Sequence, residues 1–385
     1  MRTDSTTSRV ALVANWDWVL FNFRLPVARA LRERGCDVIL VCPPGRYTGE
    51  FTREGFAWVP WPLERRSTNA FKELASIWRL AAIYRCYRPR LVHHFTIKPN
   101  IYGSIAAVTC RVPAIINTFS GLGYLFSEHR RARVLRTLVA PGVRWASRRG
   151  RTWTVFQTEE DRTRVIGMGW AVPERSLVVA GSGVDLGQFR VAREQTQNPP
   201  MVVLAARLLV DKGIAEFVSV ARRLKEKGVT ARFVVAGGPD SGNPSNIATD
   251  VLVMWGREGV VHFVGHQPKM HELLQQASIA VLPSYYAEGV PKFLLEAAAT
   301  GLPIVATEGP GSRRVVQHGV NGFLVPKRDI TALADAIERL LGDPALRRAF
   351  GAHSRKVAEG HFDQNQVVAD HLAFYRRAGL ALEPR

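Results

Sequence analysis

The chain has 385 residues, of which 46% are hydrophobic and 22% are charged. This length predicts two or three domains with sizeable cores, and the composition is typical of a soluble globular protein rather than a disordered or fibrous one. No apolar run approaches the ~18 residues that a membrane-spanning helix requires. The N-terminal sequence MRTDSTTSRVALVANWDW lacks the long apolar segment of a secretory signal peptide. We therefore expect a cytoplasmic protein.

The cysteines show neither metal-ligand spacing nor a disulfide pattern. None of the four belongs to a C-x-x-C motif, which predicts buried thiols in a reducing compartment. The four are Cys36, Cys42, Cys86 and Cys110.

Positive charge is concentrated in the first half of the chain. The net charge is +19; residues 1–200 carry 30 Lys+Arg and 15 Asp+Glu (+15), and the rest carry 22 and 18 (+4). Residues 130–151 contain eight arginines, no acid and several apolar residues. This pattern favours a basic amphipathic helix on an anionic membrane surface, and nucleic acid or solvent are the competing interpretations. The residues expected at the membrane are Arg130, Arg131, Arg133, Arg136 and Trp145.

Short apolar runs alternate with helix-compatible segments throughout the first half. The predicted strands are Arg9–Ala14, Cys36–Cys42, Leu91–Phe95, Ala114–Thr118, Thr152–Gln157 and Ser176–Ala180. The predicted helices are Phe21–Gly35, Ala70–Tyr87, Pro99–Cys110 and the arginine stretch. No G-x-G-x-x-G follows the first strand, so a standard dinucleotide fingerprint is absent.

The alternation restarts after a polar segment, Arg190–Pro200, that is typical of a linker. Strands are predicted at Met201–Ala205, Arg232–Ala236, Val260–Val264, Ser278–Leu282 and Leu302–Ala306, and helices near Ile214–Lys227, Ser245–Trp255, Val290–Thr300, 330–341, Pro344–Ala358 and Phe362–Leu380. Continuously apolar strands indicate parallel sheets covered on both faces. We predict an α/β protein with two doubly wound Rossmann-like domains facing a cleft, with ligands at the carboxyl ends of the strands.

The most informative stretch is Ser278–Thr307, which predicts a strand, a loop, a helix and a second strand. Pro291 suits the first helical position, and a helix N-terminus after a strand favours a phosphate. Glu288 precedes the helix and Glu296 lies inside it. Eight helical residues rise about 12 Å, whereas a retaining glycosidase pair needs about 5 Å. Separate roles fit better: Glu288 near the phosphates and a transferring sugar, and Glu296 on a ribose diol. The alternative is a solvated helix with two acids.

This stretch resembles a known family signature. Glu288-Gly289-Val290-Pro291, Glu296-Ala297 and Gly301–Val305 closely resemble the paired-glutamate motif of family 4 retaining glycosyltransferases. The resemblance implies a GT-B fold, a UDP-sugar donor and retention. It implies residues 1–190 as the acceptor domain, 191–362 as the nucleotide-sugar domain and 363–385 as a helix crossing back to the first domain.

Several further residues are expected to bind the donor. Arg207 and Lys212 follow a predicted strand; alone they are ordinary surface cations, but the resemblance implies that they grip the donor diphosphate. No D-x-D motif occurs, so we expect no metal and no other cofactor. Glycines also permit a close approach of the backbone to the base of the donor nucleotide, although turn formation explains these glycines equally well. The donor-binding set is Glu296, Gly289, Val290, Pro291, Gly237, Gly238, Gly265 and Arg313.

Two strings in the first half resemble a bacterial branch of the family that adds hexosamines to polyprenyl-diphosphate-linked glycans. They are LVHHFTIKPNIYG (residues 91–103) and NTFSGLGYLF (residues 117–126). Lys98 and the helix opening at Asn100 are expected to hold an acceptor anion, and the backbone at Gly121 and Gly123 a second one. The resemblance also implies that His94, or its neighbour His93, approaches the donor sugar; a packed histidine is the alternative.

Together these observations predict a glycosyltransferase that moves a hexose or N-acetylhexosamine to a polyprenyl-diphosphate-linked saccharide in cell-surface polysaccharide biosynthesis. It would work peripherally on the inner face of the cell membrane, without nucleic acid. Its catalytic residues would be Glu288, Arg207, Lys212 and His94. The alternatives are a non-catalytic basic protein that binds nucleic acid or membrane, and a same-fold inverting transferase or nucleotide-sugar epimerase.

Overall fold

The computed structural model describes residues 8–65, 67, 69–126, 130–149, 151–191, 198–240, 243–286 and 288–383, with only the backbone of Tyr124, Arg131 and Arg149. The chain forms two compact units. Unit 1 comprises residues 1–182 and 366–385, and unit 2 comprises residues 183–365. The boundaries thus fall at 182/183 and 365/366, whereas the sequence suggested 190/191 and 362/363. Residues 192–197 of the expected linker lie outside the described residues.

Unit 1 is built on a seven-stranded parallel sheet. Its order is β3-β2-β1-β4-β5-β6-β7. Strands β2 and β3 are added on one side of β1 and strands β4 to β7 on the other, so the strand order reverses between β1 and β4. Such a switch point opens a crevice at the carboxyl ends of the two strands. The strands are β1 (Arg9–Ala14), β2 (Asp37–Cys42), β3 (Ala57–Pro60), β4 (Leu91–Phe95), β5 (Ala114–Phe119), β6 (Thr152–Phe156) and β7 (Ser176–Val178).

Helices cover both faces of this sheet. They are α1 (Asp17–Arg32), α2 (Thr48–Arg53), α3 (Ala70–Tyr87), α4 (Ile97–Thr109), α5 (Arg130–Arg149), α6 (Glu159–Gly167) and α14 (Gln364–Arg377). One apolar core joins the sheet to α1 and to the end of the chain, through Leu372, Phe374 and Tyr375. The other face packs on α3 and α4. The helix expected at the end of the chain is therefore part of unit 1.

Three elements of unit 1 escaped the sequence prediction: α2, β3 and α6. The edge strand β3 fully buries only Val59, and its apolar run is interrupted by Pro60 and Pro62, which disfavour a strand. The thiols also differ from expectation, because Cys86 is exposed and Cys110 is half-buried, whereas Cys36 and Cys42 are buried as predicted.

Unit 2 repeats the architecture with six parallel strands in the order β10-β9-β8-β11-β12-β13. The strands are β8 (Met201–Ala205), β9 (Arg232–Ala236), β10 (His262–Gly265), β11 (Ile279–Leu282), β12 (Ile304–Thr307) and β13 (Gly322–Val325). The helices are α7 (Ile214–Glu226), α8 (Thr249–Arg257), α9 (Met270–Gln275), α10 (Lys292–Ala299), α11 (Pro310–Val315), α12 (Ile330–Gly342) and α13 (Pro344–His361). The switch point of this sheet lies between β8 and β11. Arg207 and Lys212 follow β8, and Glu288 follows β11.

Candidate donor and acceptor sites

The loop after β8 is held against the end of β11. A 3-10 turn, Val210–Lys212, ends at Gly213, whose φ is +73°. A Cβ at Gly213 would lie 2.2 Å from the carbonyl oxygen of Pro283. Only glycine allows both this backbone conformation and this approach. The sequence therefore brings the cations after β8 to the loop after β11, across the switch point of unit 2.

Lys212 and Glu288 form an ion pair across that switch point. The Lys212 ammonium donates to Glu288 Oε1, and the two side chains are 8% and 24% exposed. Ser284 Oγ donates to the same oxygen at 3.0 Å, and Lys212 Nζ lies 5.4 Å from the ring centre of Tyr286. The structure thus places a cation and a carboxylate together, largely out of water, where they interact more strongly than at the surface.

Arg207 is paired in the same part of unit 2. Its Nη1 lies 2.5 Å from Asp240 Oδ2, and Asn243 Nδ2 donates to that oxygen at 2.9 Å. Asp240 is in turn oriented by Asn246, whose Oδ1 accepts from the Asp240 backbone N–H at 2.9 Å. Asp240 did not stand out in the sequence, because no motif marks it.

The helix after β11 begins slightly later than predicted. Pro291 is the N-cap of α10 rather than its first helical residue, and the helix ends at Ala299 with Gly301 in the left-handed region after it. Glu296 lies on this helix and is 9% exposed. Its nearest cation is Lys292, at 3.7 Å. Burial raises the pKa of Glu296, and the charge on Lys292 opposes that rise.

Glycines bring backbone segments close together around these side chains. Gly237 (φ +153°) would place a Cβ 1.8 Å from the carbonyl oxygen of Ala206, and its N–H donates to the carbonyl of Gly265. The carbonyl of Gly238 accepts from the N–H of Leu208. Gly311 would place a Cβ 1.6 Å from the carbonyl oxygen of Gly289. Gly237 and Gly311 are therefore required for packing, whatever they bind, whereas a Cβ at Gly238 or Gly265 would meet nothing within 4 Å.

Two other expected donor residues differ in exposure. Arg313 lies near the end of α11, and its Nη1 is 3.3 Å from Glu308 Oε1 at the surface. Val290 is buried in the loop before α10.

In unit 1, the two histidines of β4 are core residues. His94 is fully buried, with Nε2 2.7 Å from Tyr84 Oη and Nδ1 2.8 Å from Asn117 Oδ1. His93 is fully buried between Tyr375 Oη and Thr118 Oγ1, each at 2.6 Å. The expectation that one of them approaches a donor sugar stays a prediction; in this structure both imidazoles are enclosed by residues of unit 1. Because helices cover both faces of the sheet, alternate residues of a central strand are enclosed on either side.

The buried histidines make the stability of unit 1 sensitive to acid. Burial lowers the pKa of His94 from 6.5 to about 4. Between these values the unfolded chain binds a proton that the folded chain does not, so this contribution is complete above pH 6.5 and is lost as the pH falls towards 4. We expect His94 to account for about 2 kcal/mol of the unfolding free energy lost between pH 7.5 and 5. Urea unfolding of wild type and His94→Gln at both pH values measures this. Exposed His353 provides the control, His353→Gln; equal losses in all three proteins would contradict the prediction.

The Lys98 ammonium is paired within unit 1. It donates to both carboxylate oxygens of Glu73, at 2.8 and 3.0 Å. It also donates to the carbonyls of Glu64 and Ser67, at 2.9 and 2.8 Å. Every donor of the ammonium is thus used within unit 1 in this conformation. The role of Lys98 in binding an acceptor anion stays a prediction, and it requires Lys98 to exchange one of these partners for the anion.

The other expected acceptor residues lie at the carboxyl ends of β4 and β5. Asn100 is buried, and its Nδ2 donates to the carbonyl of Thr118 at 2.9 Å. Gly121 (φ +101°) and Gly123 (φ +54°) form the left-handed turn after β5. At the start of α1, Asp17 is buried and its Oδ2 accepts from the backbone N–H of Tyr47 at 2.6 Å. This hydrogen bond connects the start of α1 to the residue before α2, which the sequence did not indicate.

Within the residues that the structure describes, no helix combines the length and apolar character needed to cross a membrane. The described part of the chain also contains no cluster of three or more histidine, cysteine, aspartate or glutamate residues placed to hold a metal ion.

The chain is similar to glycosyltransferases along nearly its whole length. Residues 187–357 match the family "Glycosyl transferases group 1", and residues 9–155 match "Glycosyl transferase 4-like". The N,N'-diacetylbacillosaminyl-diphospho-undecaprenol alpha-1,3-N-acetylgalactosaminyltransferase of Campylobacter jejuni is 26% identical over 382 residues, covering 96% of this chain and 98% of that protein. The UDP-Gal:alpha-D-GlcNAc-diphosphoundecaprenol alpha-1,3-galactosyltransferase of Escherichia coli is 24% identical over 342 residues, covering 84% and 85%.

The fold agrees with these matches. The crystal structure of Anabaena HepE in complex with UDP superposes with a TM-score of 0.77 at 16% identity, covering 96% of this chain and 100% of that one. The predicted fold class, two doubly wound α/β units of the GT-B type, is confirmed. Since the two family matches cover both halves of a chain with this fold, the protein belongs to the glycosyltransferases.

Proposed function

We propose that this protein is a metal-independent, retaining glycosyltransferase of family 4. It transfers a hexose or N-acetylhexosamine from a UDP-sugar to a polyprenyl-diphosphate-linked saccharide during cell-surface polysaccharide synthesis. The observation that carries the proposal is the Lys212–Glu288 pair across the switch point of unit 2, with Arg207 on the same loop as Lys212. The names of the relatives in Campylobacter jejuni and Escherichia coli support the acceptor class.

The donor diphosphate would be held by two cations, Arg207 and Lys212. In the absence of the donor, a carboxylate neutralises each of them. Arg207 rests on Asp240, and Lys212 rests on Glu288. On donor binding, Lys212 exchanges the carboxylate for a phosphate oxygen, and Glu288 turns to accept hydrogen bonds from the donor sugar. The leaving diphosphate is then stabilised by fixed charges in a site of low dielectric, which lowers the barrier to transfer. No covalent intermediate is needed.

The other predicted donor-binding residues are assigned to parts of the donor by their positions relative to the Lys212–Glu288 pair. Glu296 would accept from the ribose hydroxyls, because neutral hydroxyls suit a buried carboxylate better than a diphosphate does. The first turn of α10, after Gly289, Val290 and Pro291, would face the phosphates. The backbone at Gly237, Gly238 and Gly265 would face the base, and Arg313 would complete the site. In unit 1, the turn at Gly121 and Gly123 would contact the acceptor.

A transfer assay with a synthetic polyprenyl-diphosphate-linked saccharide and a panel of UDP-sugars tests the proposal. We expect product from one UDP-sugar, formed equally in EDTA, with an α-anomeric bond by NMR. A β-linked product would establish inversion, and activity that EDTA abolishes and a divalent cation restores would contradict metal independence. No product with any nucleotide sugar and no nucleotide binding would replace the enzyme with a basic binding protein.

We propose further that unit 1 rests on an anionic membrane surface. On α5, the exposed residues Arg130, Arg133, Val134 and Leu138 share one face. Arg136 is half-buried and donates to the carbonyl of Leu125 at 3.1 Å, and Trp145 is also half-buried. The side chain of Arg131 lies outside the described residues.

A second apolar face lies on α3, and α4 packs against both α3 and α5. Phe71, Leu74 and Trp78 recur at helical spacing and are 86%, 53% and 61% exposed. Aromatic and aliphatic side chains beside arginines suit the interface between lipid headgroups and acyl chains. The sequence alone does not reveal this face, because a helical pattern does not show which side of the helix other elements cover.

We expect the double variant Phe71→Ser/Trp78→Ser to sediment several-fold less with anionic vesicles than wild type, because both rings lose their apolar insertion. Arg130→Glu/Arg133→Glu should have a similar effect through charge. A matched control is Val253→Ser/Met254→Ser on α8, where two apolar side chains are 46% and 51% exposed. Unchanged sedimentation of both unit 1 variants would remove the membrane assignment.

A further inference from the structure

Arg24, on the second turn of α1, is a buried cation without an acidic partner among the described residues. Its side chain is 4% exposed. Its guanidinium carbon lies 4.5 Å above the ring centre of Phe95, at the carboxyl end of β4, and its Nε has no hydrogen-bond acceptor. Burial lowers the pKa of Arg24 to about 10. A buried charge with no counter-charge is unfavourable, so such a group points to an anion that is absent from the protein itself.

Three further buried polar atoms on elements next to β4 have no hydrogen-bond partner among the described residues: Thr96 Oγ1 directly after the strand, Asn100 Oδ1 on α4 and His371 Nε2 on α14. Thr96 directly follows Phe95, and the N–H of Asn100 donates to the carbonyl of Thr96. His371 uses Nδ1 for the carbonyl of Val367, which leaves Nε2 as an acceptor. Burial lowers the pKa of His371 to about 4, and the charge on Arg24 contributes to this shift. Buried polar atoms in native structures are normally satisfied, so this group indicates a polar ligand or ordered water.

The backbone at this position is also unusual. Thr96 has a φ of +75° and a ψ of 164°, a conformation that a β-branched residue adopts only under strain. It lies at the end of β4, beside the end of β1, where the strand order of unit 1 reverses. That reversal opens the crevice in which doubly wound sheets bind ligands.

We propose that Arg24 and the Thr96 hydroxyl bind a phosphoryl group of the acceptor's diphosphate, and that Asn100 Oδ1 and His371 Nε2 accept hydrogen bonds from hydroxyl groups beside it. Arg24 and Thr96 supply donors, which match phosphate oxygens, whereas the other two atoms are acceptors, which match sugar hydroxyls or water. The assignment rests on the proposed function for the identity of the ligand. It gives the acceptor a cation within unit 1. The donors of the Lys98 ammonium are used by Glu64, Ser67 and Glu73 in this conformation.

The test uses the full-length protein and farnesyl diphosphate as a probe, in saturating UDP so that the donor site in unit 2 is filled. Wild type, Arg24→Met and Arg24→Lys are compared by thermal shift and by acceptor KM. We expect Arg24→Met to lose the farnesyl diphosphate shift, to retain the UDP shift and to raise acceptor KM about 10- to 100-fold. Arg24→Lys should restore part of both effects.

Unliganded stability separates binding from a structural role. Without ligand, Arg24→Met should melt no lower than wild type, because it removes an uncompensated buried charge. Arg32→Met is the matched control: Arg32 lies on the same helix with its guanidinium carbon 4.3 Å above the ring centre of Phe56, and its acceptor KM should be unchanged. An unaltered farnesyl diphosphate shift in Arg24→Met would overturn the proposal. So would an unliganded melting temperature that falls in Arg24→Met and recovers in Arg24→Lys.

These measurements also separate this proposal from the proposed function. An Arg24-dependent shift with farnesyl diphosphate, combined with no transfer from any UDP-sugar, would retain the anion site and reject the enzyme. Normal transfer by Arg24→Met with unchanged acceptor KM would retain the enzyme and reject the anion site.

Discussion

Lys212→Met is expected to lower kcat/KM for transfer roughly 100-fold or more, the scale seen when a charge-stabilising donor is removed from an active site. The ammonium is enclosed beside Glu288, so the variant removes the cation proposed to hold the leaving diphosphate. Among the described residues, it also leaves Glu288 Oε1 with the Ser284 hydroxyl as its remaining hydrogen-bond partner. Steady-state kinetics with the UDP-sugar and the lipid-linked acceptor measure the change.

Two further variants separate catalysis from stability. Lys227→Met removes an exposed lysine paired with Glu338 in the same unit, at 2.6 Å, and should leave activity and melting temperature almost unchanged. The double variant Lys212→Met/Glu288→Gln removes the unpaired charge, so it should regain stability lost in Lys212→Met while remaining inactive. Transfer by Lys212→Met within threefold of wild type would contradict the electrostatic role.

Gly311→Ala is expected to displace the loop before α10 and to raise the KM for the UDP-sugar at least about tenfold. The added Cβ would lie 1.6 Å from the carbonyl oxygen of Gly289 and 3.2 Å from that of Glu288. Neither backbone atom can move without moving the loop, and overpacking of this kind costs about 1–3 kcal/mol or more. Thermal melting and titration with UDP measure the two effects.

Gly309→Ala is the matched control. Gly309 lies two residues earlier in the same turn with an extended φ of −172°, and a Cβ there would meet nothing within 4 Å. We expect wild-type affinity and stability for this variant. If both alanine variants bind UDP like the wild type, the contact between Gly311 and Gly289 does not shape the donor site.

The fold was largely predictable because buried parallel strands are continuously apolar. The observed bounds of β1, β4, β8 and β9 match the predicted strands. The misses have local causes. Helix α8 starts at Thr249 rather than near Ser245, because Ser245 is held by long-range contacts: its carbonyl accepts from Val210 N–H, and its hydroxyl donates to Asp211. Sequence patterns in one segment do not contain such partners.

The candidate sites were predictable only where motif and geometry coincide. Lys212 and Glu288, far apart in sequence, were expected in one site and form an ion pair. The enclosure of His94 and Lys98 was not predictable, because the residues that bond them, Asn117 and Glu73, lie on other elements. Arg24 was missed for the converse reason: one arginine in a helix looks ordinary until the structure shows that it is buried and has no acidic partner among the described residues.

Helix α14 makes unit 1 discontinuous, and this has a consequence for biosynthesis. Leu372, Phe374 and Tyr375 complete the core of unit 1, and Tyr375 Oη bonds His93 on the central strand β4. The ribosome makes all of unit 2 between the two parts of unit 1. At about 5–20 residues per second, the apolar face that α14 covers stays open for roughly ten seconds or more. The nascent N-terminal part of unit 1 therefore exposes this apolar face until α14 is made, and exposed apolar surface of this kind favours aggregation.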